Sequence, residues 1–425
     1  MSALKPLIDL IVQNARVLEG ACASAGTSIP DLDAPFDPAS EAFRKDPAAT
    51  EAANVVAAAA FHLAATVLPP SSTLLSVAES YLKPVALRVA VESSVVEILR
   101  EAGPEGLHVD EIAKINGPRF LRLLATNHIF REVAPDIFAN NRVSSLIDTH
   151  KPSKDILADP EHKYDGTSGV AAICAFITDE PYKAGAYAWE TLSGPEDGAS
   201  GEPEASALAR AFGVRESAWK ILARPENAHR LRRFNIAMAG SADLQPADIV
   251  MGAFDWQSLP AGSLVVDVGG GIGKSALSIV KNCPALKVVV QDMPEVIEDG
   301  KKWWNETAPD AVQAGQVTLE AHSFFEPQPK RAVSAFLLKQ ILHDWSDPYC
   351  AKILAHLRSA AAEMTRLVIM DSCLSFACHE PVDEGGLSGI PGARAHEAPA
   401  PLLANYGAAN ENGYLNDLVS QPYPL

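Results

Sequence analysis

A glycine-rich turn that follows a short apolar run carries the first residues that could do chemistry. Residues 263–275 read SLVVDVGGGIGKS, so Asp267 is followed by Gly269, Gly271 and Gly273. A strand, a glycine turn and a helix in this order bring backbone atoms very close to a ligand. An acid at the end of the strand can also accept a hydrogen bond from an ammonium group. The pattern therefore favours an amino-acid-bearing nucleotide such as S-adenosylmethionine.

Three alternatives remain open for this turn on its sequence alone. A dinucleotide fingerprint, G-x-G-x-x-G, would need glycine where Lys274 stands. A phosphate-binding P-loop, G-x-x-x-x-G-K-S, would need glycine where Val268 stands. A turn without any ligand would carry three glycines at a cost in stability, because glycine weakens strands and helices.

An acid also stands at the end of the next predicted strand. Residues 287–290 are mostly apolar and lead into Gln291 and Asp292. Asp292 lies about twenty residues beyond the glycine turn, where an acid can bind both ribose hydroxyls of a nucleotide. It could also cap the helix that follows, and the two roles are compatible.

His343 is the best candidate for a catalytic base. It follows the predicted strand 335–339, with Asp344 beside it and Asp371 at the end of the predicted strand 367–370. Imidazole titrates near physiological pH, so it can take a proton from a hydroxyl group. A carboxylate on its other nitrogen would fix the tautomer. A lone histidine is often structural, but this one follows a strand end, where such sheets bind ligands.

The elements that must position these residues follow an alternating pattern in the second half of the sequence. Predicted strands cover 264–266, 287–290, 316–321, 335–339 and 367–370, and predicted helices cover 274–281 and 347–364. The strands are short and almost continuously apolar. The pattern predicts an α/β fold with a doubly wound, mostly parallel, Rossmann-like sheet that binds ligands at the carboxyl ends of its strands.

The first part of the sequence is predicted to be helical. Helices are expected over 4–23, 51–67, 84–101, 106–114 and 119–128, followed by a hairpin over 130–140. Three helices and a hairpin form a winged-helix pattern, which can bind DNA. The predicted reading helix supplies only Arg119 and Arg122 as cations, which disfavours that function. The alanine-rich helix 51–67 is apolar on all sides, so it should be buried against its own domain or against a second subunit.

These patterns divide the chain into three predicted domains. Residues 1–150 form a helical and winged-helix-like domain, 151–245 a helical connector with part of the substrate pocket, and 246–425 the nucleotide-binding catalytic domain. Candidate aromatic and sulfur-containing pocket residues are Trp189, Phe234, Met238 and Trp345. Such side chains line cores as well as pockets.

Four segments together resemble a known family. Residues 267–273, 291–294, 337–345 and 402–407 look like the corresponding motifs of fungal S-adenosylmethionine-dependent O-methyltransferases, which are relatives of the plant caffeate and flavonoid enzymes. The resemblance covers roughly residues 80–418. It implies that the winged-helix segment serves dimerisation rather than DNA binding, and therefore a homodimer.

The resemblance also implies a role for individual residues. Contacts with S-adenosylmethionine would come from Asp267, Gly269, Gly270 and Gly271 near the methionine moiety, Asp292 at the ribose, Ser323 and Phe324 beside the adenine, and Lys339. His343 would deprotonate the acceptor hydroxyl, and Asp371 would orient His343. The family usually has aspartate where this chain has Ser323, so one acceptor charge is missing.

The sequence departs from the family at its end. In the family, the helix that begins near residue 412 continues into an acidic pocket residue and two further antiparallel strands, whereas this sequence ends in SQPYPL. We therefore expect a chain truncated at its C-terminus and a sheet without its last two strands. Residues 367–370 would form an exposed apolar edge, and His343 would lack a second carboxylate.

Composition excludes several classes of partner. A net charge of −18 over 425 residues disfavours nucleic acids and anionic membranes. The six cysteines are scattered without zinc-binding spacing, which predicts free thiols in a reducing compartment and no metal site. The N-terminus lacks a signal-peptide core, and the apolar stretch 53–68 is shorter than the roughly 20 residues that span a bilayer. We expect a cytoplasmic protein without a membrane partner.

The sequence thus predicts an enzyme of secondary metabolism. Its reaction would be S-adenosylmethionine-dependent methyl transfer to a hydroxyl of a small, aromatic or polyketide-type acceptor. The main alternative is a protein of the same fold that binds the cofactor but is inactive or catalyses a non-methylating, pericyclic-type reaction. A winged-helix regulator is disfavoured by the acidic charge, and a nicotinamide oxidoreductase is disfavoured by Lys274.

Overall fold

A computed structural model describes residues 4–116, 120–245, 248–380 and 395–420. These residues form two compact units, each assembled from separate stretches of chain. Unit 1 contains residues from 4–183, 222–240 and 373–416, and unit 2 contains residues from 184–221, 241–372 and 417–420. The predicted connector 151–245 is therefore shared between the two units, and the division into three domains stays a prediction.

Helices dominate the chain before residue 245, as the sequence predicts. They are α1 (Leu4–Ser24), α2 (Pro47–Val67), α3 (Pro70–Glu79), α4 (Leu82–Glu92), α5 (Val95–Ala102), α6 (Val109–Asn116), α7 (Leu121–Thr126), α8 (Arg142–Ser145), α9 (Ser153–Ala158), α10 (Val170–Ile177), α11 (Glu180–Gly185), α12 (Ala188–Leu192), α13 (Ala207–Ala211), α14 (Ala218–Leu222) and α15 (Ala228–Asp243).

The helices α1 and α2 pack against each other and against a distant part of unit 1. The buried residues of α2 are Ala49, Ala52, Val55, Ala58 and Ala59. Leu7 of α1 and three residues from the far end of the chain, Ala398, Leu402 and Tyr406, complete part of this core. The Tyr406 hydroxyl donates a hydrogen bond of 2.6 Å to Glu51. One face of α2 is thus covered by its own chain. Phe61 and Val67 of the same helix are 53% and 60% exposed, so the helix is not buried on all sides as its composition predicts.

Among the described residues, α2 alone is long and apolar enough to cross a membrane. An 18-residue window of this 21-residue helix has a mean hydropathy of 1.2, and 28% of the window is buried. This finding rests on length and composition alone, which core helices of soluble proteins can share.

Unit 1 contains a small antiparallel sheet, and two of the helices predicted around it differ in the structure; the winged-helix assignment stays a prediction. A three-stranded antiparallel sheet, in the order β1-β3-β2, contains β1 (Leu107–His108), β2 (Arg131–Ala134) and β3 (Ile137–Ala139). The single helix predicted over 84–101 is wrong, because the chain turns at Ser94 (φ 55°) between α4 and α5. The helix predicted from residue 106 begins later, since residues 107–108 pair with β3.

Unit 2 is built on a parallel sheet of five strands. Its strands are β4 (Leu264–Val268), β5 (Lys287–Asp292), β6 (Val317–Ala321), β7 (Ala335–Lys339) and β8 (Arg366–Met370), in the order β6-β5-β4-β7-β8. The later helices of the chain are α16 (Ile249–Ala253), α17 (Lys274–Asn282), α18 (Pro294–Thr307), α19 (Pro309–Gln313), α20 (Asp347–Ala360) and α21 (Asn412–Ser420). The predicted α/β fold class, with its Rossmann-like parallel sheet, is confirmed.

The strand order places a crevice beside the central strand. The chain adds β5 and β6 on one side of β4, then returns to place β7 and β8 on the other side. In such sheets, ligands bind where the strand order reverses, at the carboxyl ends of the strands. β4 and β7 meet at this point, with Asp267 paired in register with Leu337.

β8 forms one edge of the sheet over the residues described. It pairs with β7, and Leu367 and Ile369 are each 47% exposed. The expected apolar edge is therefore present. An exposed apolar edge strand can pair with other chains, so this strand is a potential aggregation site.

Candidate active site

The glycine turn follows β4 with three residues in left-handed backbone conformations. Gly269, Gly271 and Gly273 have φ values of 69°, 59° and 93°. The amide of Gly270 donates a hydrogen bond of 3.0 Å to the carbonyl of Gln291 at the end of β5. The turn is thus held against the neighbouring strand before α17 begins at Lys274.

Asp267 lies at the bottom of this turn as a buried acid. It is 1% exposed, and its Oδ2 has no hydrogen-bond partner among the described residues. Burial and the charge of Asp292 raise the pKa of Asp267 to about 7, and the charge of Lys339 opposes this shift. A buried carboxylate oxygen without a partner is costly, so the site is suited to a cationic ligand group.

Asp292 holds the glycine turn directly. Its Oδ2 accepts a hydrogen bond of 2.8 Å from the amide of Gly271, and its Oδ1 accepts one of 2.7 Å from the amide of Met293. Burial raises the pKa of Asp292, and these two hydrogen bonds oppose the shift. The alternative helix-capping role is wrong, because Met293 occupies the N-cap position of α18 and no side chain caps that end.

Ser323 and Phe324 follow β6, and Phe324 lies next to the glycine turn. A Cβ atom placed on Gly269 would lie 3.6 Å from Cε1 of Phe324 and 2.5 Å from Cδ1 of Ile341. Phe324 packs edge-to-face on Trp345, with ring centroids 5.8 Å apart. The Ser323 hydroxyl accepts a hydrogen bond of 3.3 Å from the amide of Phe325. These contacts bring the predicted adenine-flanking residues close to the turn.

Lys339 ends β7 near the buried acids. Its Nζ donates a hydrogen bond of 3.2 Å to Oε1 of Gln340. Burial lowers the pKa of Lys339, while the charge of Asp267 opposes that shift. The side chain of Gln340 also accepts from Gln245, over 3.1 Å. Lys339 therefore supplies positive charge to the Asp267 end of the crevice.

His343 and Asp371 form a close pair at the ends of β7 and β8. Gln340 takes a left-handed conformation (φ 55°), and a short 3₁₀ turn at Leu342–Asp344 then presents His343. Nδ1 of His343 lies 2.7 Å from Oδ1 of Asp371. This hydrogen bond raises the pKa of His343, while burial opposes the rise. With Nδ1 donating to Asp371, Nε2 is left as the basic nitrogen.

The carboxylate of Asp344 lies near the other ring nitrogen of His343, and the expected loss of the family's C-terminal pocket carboxylate stays a prediction. Oδ1 of Asp344 is 3.5 Å from Nε2. Burial raises the pKa of Asp344 to about 6. The charge of Asp417 in α21 further raises the pKa of His343. The imidazole is therefore placed in a field of three acids, which stabilises its protonated form.

The parallel sheet brings the predicted polar site residues together at the carboxyl ends of its strands. These residues are Asp267 near the end of β4, Asp292 at the end of β5, Lys339 at the end of β7, His343 just beyond β7 and Asp371 just beyond β8. Of the candidate pocket residues, Trp189 is 74% exposed, and Phe234 packs edge-to-face on Phe176 in unit 1. The sequence analysis missed Gln340 and Ile341. A left-handed residue other than glycine carries no clear signal in a sequence.

Comparison with known proteins assigns the family. A family model described as an O-methyltransferase domain matches residues 196–390. The 4-O-methyltransferase 1 of Phanerochaete chrysosporium is 47% identical, over 98% of this chain and 89% of that protein. The chain belongs to the fungal O-methyltransferase family. As a fungal O-methyltransferase it is an enzyme, which confirms the family and the enzyme class predicted from its motifs.

Solved structures share the fold of this fungal O-methyltransferase. The mitomycin 7-O-methyltransferase MmcR aligns with a TM-score of 0.55 and 25% identity, over 73% of this chain and 82% of that chain. LepI in complex with S-adenosylmethionine aligns with a TM-score of 0.60 and 16% identity, over 80% of this chain and 81% of that chain. The second likeness concerns the fold alone.

Proposed function

We propose that this fungal O-methyltransferase transfers the methyl group of S-adenosylmethionine to a hydroxyl of a small aromatic or polyketide-type secondary metabolite. His343 acts as the general base. The observation that carries the proposal is the 2.7 Å hydrogen bond between His343 and Asp371 at the sheet edge that also holds the glycine turn. The acceptor class is supported by the family and by the names of relatives such as the sterigmatocystin 8-O-methyltransferase of Aspergillus parasiticus.

The residues around the glycine turn fit S-adenosylmethionine. Asp267 offers a buried carboxylate oxygen that lacks a partner among the described residues, which suits the ammonium of the methionine moiety. Asp292 would hold the ribose, with Gly269, Gly270 and Gly271 beside the methionine moiety. Ser323, Phe324 and Lys339 would complete the set. When bound, the cofactor supplies an electrophilic methyl group.

The protein's own contribution to the reaction is deprotonation and orientation. Asp371 accepts a hydrogen bond from Nδ1–H, which fixes the imidazole plane and leaves Nε2 to remove the acceptor's hydroxyl proton. The acceptor oxygen would then carry the electron pair that forms the new bond to the methyl carbon, while the electron pair of the broken carbon–sulfur bond would return to the cofactor's sulfur. The proton remains on His343, where Asp371, Asp344 and Asp417 stabilise the cation. General-base catalysis of this kind contributes about 10²- to 10⁴-fold.

The test compares two histidine–aspartate pairs in the same protein. We expect His343→Ala to lower methyl transfer by about 10²- to 10⁴-fold while cofactor affinity changes little, because His343 lies outside the glycine turn. His162→Ala is the matched control, since Nδ1 of His162 lies 2.8 Å from Asp159 in an exposed pair in unit 1. Activity would be followed by mass spectrometry with a phenolic library and binding by calorimetry.

Two results would contradict this proposal in different ways. Full methyl transfer by His343→Ala would remove His343 as the base. Cofactor binding by the wild-type chain with no methylated product from any acceptor would favour the alternative of non-methylating chemistry.

We further propose that this enzyme is a cytoplasmic homodimer that binds neither nucleic acid nor membranes. The proposal for a dimer rests on apolar side chains exposed in the N-terminal helices. Ile8 and Val12 of α1 are each 47% exposed, and Leu74 and Val77 of α3 are 72% and 69% exposed. Clusters of exposed apolar side chains mark interaction surfaces.

A further inference from the structure

A polar pocket in unit 1 is lined by none of the residues proposed for methyl transfer. Its volume is about 270 Å³. The wall is formed by α4, the segment around residues 160–164, Asp179 and the first half of α15. The proposed function assigns no role to this pocket.

Two buried acids beside the pocket are surrounded by cationic side chains. Asp179 and Glu180 are each 2% exposed and share four cations. The ion pairs of Asp179 are Arg88 at 2.9 Å, Lys183 at 2.6 Å, Arg230 at 2.5 Å and Arg233 at 2.8 Å, and Glu180 pairs with Arg230 and Arg233 at 2.6 Å each. Glu92 adds a third carboxylate, 3.5 Å from Arg233. The residues that line the pocket itself include four cations and three carboxylates, so its lining has one positive charge in excess: Arg88, Arg230, Arg232 and Arg233 against Glu92, Glu161 and Asp179.

Asp179 remains ionised in this arrangement. Although burial opposes the shift, the hydrogen bonds from Arg233 and Lys183 hold the pKa of Asp179 well below its usual range. Protonation of the acid therefore does not alter the charge count near neutral pH.

Two buried donors in the pocket wall lack partners among the described residues. They are the hydroxyl of Tyr164 and the Nε of Arg233, and both residues are 7% exposed. Burial raises the pKa of Tyr164, so its hydroxyl keeps its proton and remains a donor. An unsatisfied buried donor is costly, and most such groups in native proteins have a partner.

We propose that this pocket binds a small oxyanion, either inorganic phosphate or the carboxylate of a small organic acid, on Tyr164 and Arg233. Donors without partners and an excess of cations require an acceptor that carries negative charge. Glu92 and Glu161 also line the pocket and oppose an anion. We therefore expect a dissociation constant of about 1 mM.

The experiment is calorimetric titration of the full chain with sodium phosphate, with sodium succinate and with sodium chloride at equal ionic strength. We expect saturable heat from phosphate or succinate and none from chloride. The two titrations distinguish the sources of the oxyanion. Tyr164→Phe should weaken binding about tenfold, the loss of one hydrogen bond to a charged group. Arg233→Lys, which keeps the charge but loses the Nε donor, should weaken it as well.

Tyr182→Phe is the matched control. Its hydroxyl donates to the carbonyl of Tyr81 over 3.3 Å and does not line the pocket. This variant should bind the oxyanion as the wild type does. The proposal is overturned if neither phosphate nor succinate gives saturable heat, or if Tyr164→Phe binds with wild-type affinity.

Discussion

Asp267 and His343 both have raised pKa values, for opposite physical reasons. Burial raises the pKa of Asp267 to about 7, because the charged carboxylate has lost its water. The hydrogen bond that His343 donates to Asp371 raises the pKa of His343, because it stabilises the charged imidazolium. A cation placed beside Asp267 would therefore stabilise its carboxylate. The imidazole of His343 has a higher proton affinity, which suits a general base.

Removal of the Asp371 charge should shift the pH dependence of methyl transfer. The raised pKa of His343 means that activity is lost as pH falls through that raised value. In Asp371→Asn the pKa of His343 falls, so the acid limb of the rate profile should move to lower pH. The plateau rate should fall by at least about tenfold, because the imidazole loses its orientation. The measurement is kcat against pH.

Asp347→Asn is the control for this experiment. Asp347 is exposed at the start of α20, four residues after His343. Its profile should match that of the wild type. An unchanged acid limb in Asp371→Asn would show that His343 is not the titrating base.

Cofactor binding should release a proton from Asp267. A cation held beside this carboxylate lowers its pKa from about 7, so the affinity for S-adenosylmethionine should rise as pH increases through about 7. Without the cofactor, the stability of the folded chain depends on pH in the opposite direction. The folded-state pKa of Asp267 is raised above the ordinary aspartate value of 3.8, so stability should fall as pH rises from about 4 to about 7.

Calorimetry in two buffers of different ionisation enthalpy measures this proton. Roughly half a proton should be released per cofactor bound at pH 7, because Asp267 with a pKa of about 7 is about half protonated there, and Asp267→Asn should release none and bind more weakly. Equal heats in the two buffers for the wild type would count against a protonated Asp267.

At the scale of elements, the glycine turn and the 3₁₀ turn after β7 fit together through close contacts. Ile341 fills the space that a side chain on Gly269 would need, and the Asp267 carboxyl does the same beneath Gly270. A Cβ atom on Gly270 would lie 2.7 Å from Oδ2 of Asp267 and 3.0 Å from Cγ1 of Val290. The turn therefore tolerates little added volume on its inner side.

Gly270→Ala should weaken cofactor binding by displacing Asp267. Gly270 is not in a left-handed conformation, so the effect isolates steric displacement from backbone strain. Overpacking costs about 1–3 kcal/mol, and we expect a loss of affinity of roughly ten- to hundredfold. Gly252→Ala is the control, because a Cβ atom there meets nothing within 4 Å. Wild-type affinity in Gly270→Ala would mean that Asp267 does not contact the ligand.

The sequence predicts elements well where one periodicity dominates a long stretch. Strands β4, β5 and β7 are short apolar runs between turn signals, and each has a polar residue at or next to its carboxyl end. The sheet and the position of its ligand site could therefore be inferred together. The break at Ser94 could not be inferred from the sequence, because the flanking residues continue a helical pattern. The contact between Asp344 and Nε2 of His343 could not be inferred either, because it depends on the left-handed conformation of Gln340.

At the scale of the whole molecule, net charge and exposed apolar surface have opposite effects on self-association. A net charge of −18 disfavours association with other acidic surfaces. The exposed leucines and valines of α1 and α3 favour association through a surface of limited size. A specific dimer reconciles the two, because it covers the apolar surface and leaves the charge in water.

Charges introduced into α3 should abolish the proposed dimer. Leu74 and Leu75 are 72% and 59% exposed, so Leu74→Glu/Leu75→Glu should leave the fold intact and yield monomers in light scattering after gel filtration. Leu157→Glu, at a residue of α9 that is 49% exposed, is the control and should remain dimeric. A monomeric wild-type chain at micromolar concentration would contradict the proposal.

The core shared by α1, α2 and residues 398–406 has a consequence for synthesis in the cell. Tyr406 bonds to Glu51 across 355 positions of sequence. At about 5–20 residues per second, a ribosome adds that many residues in roughly 20–70 seconds. During this interval the alanine-rich face of α2 has left the ribosome, but residues 398–406, which complete its cover, do not yet exist. We therefore expect nascent chains of this enzyme to engage chaperones early and to release them only after residues 398–406 have been synthesised.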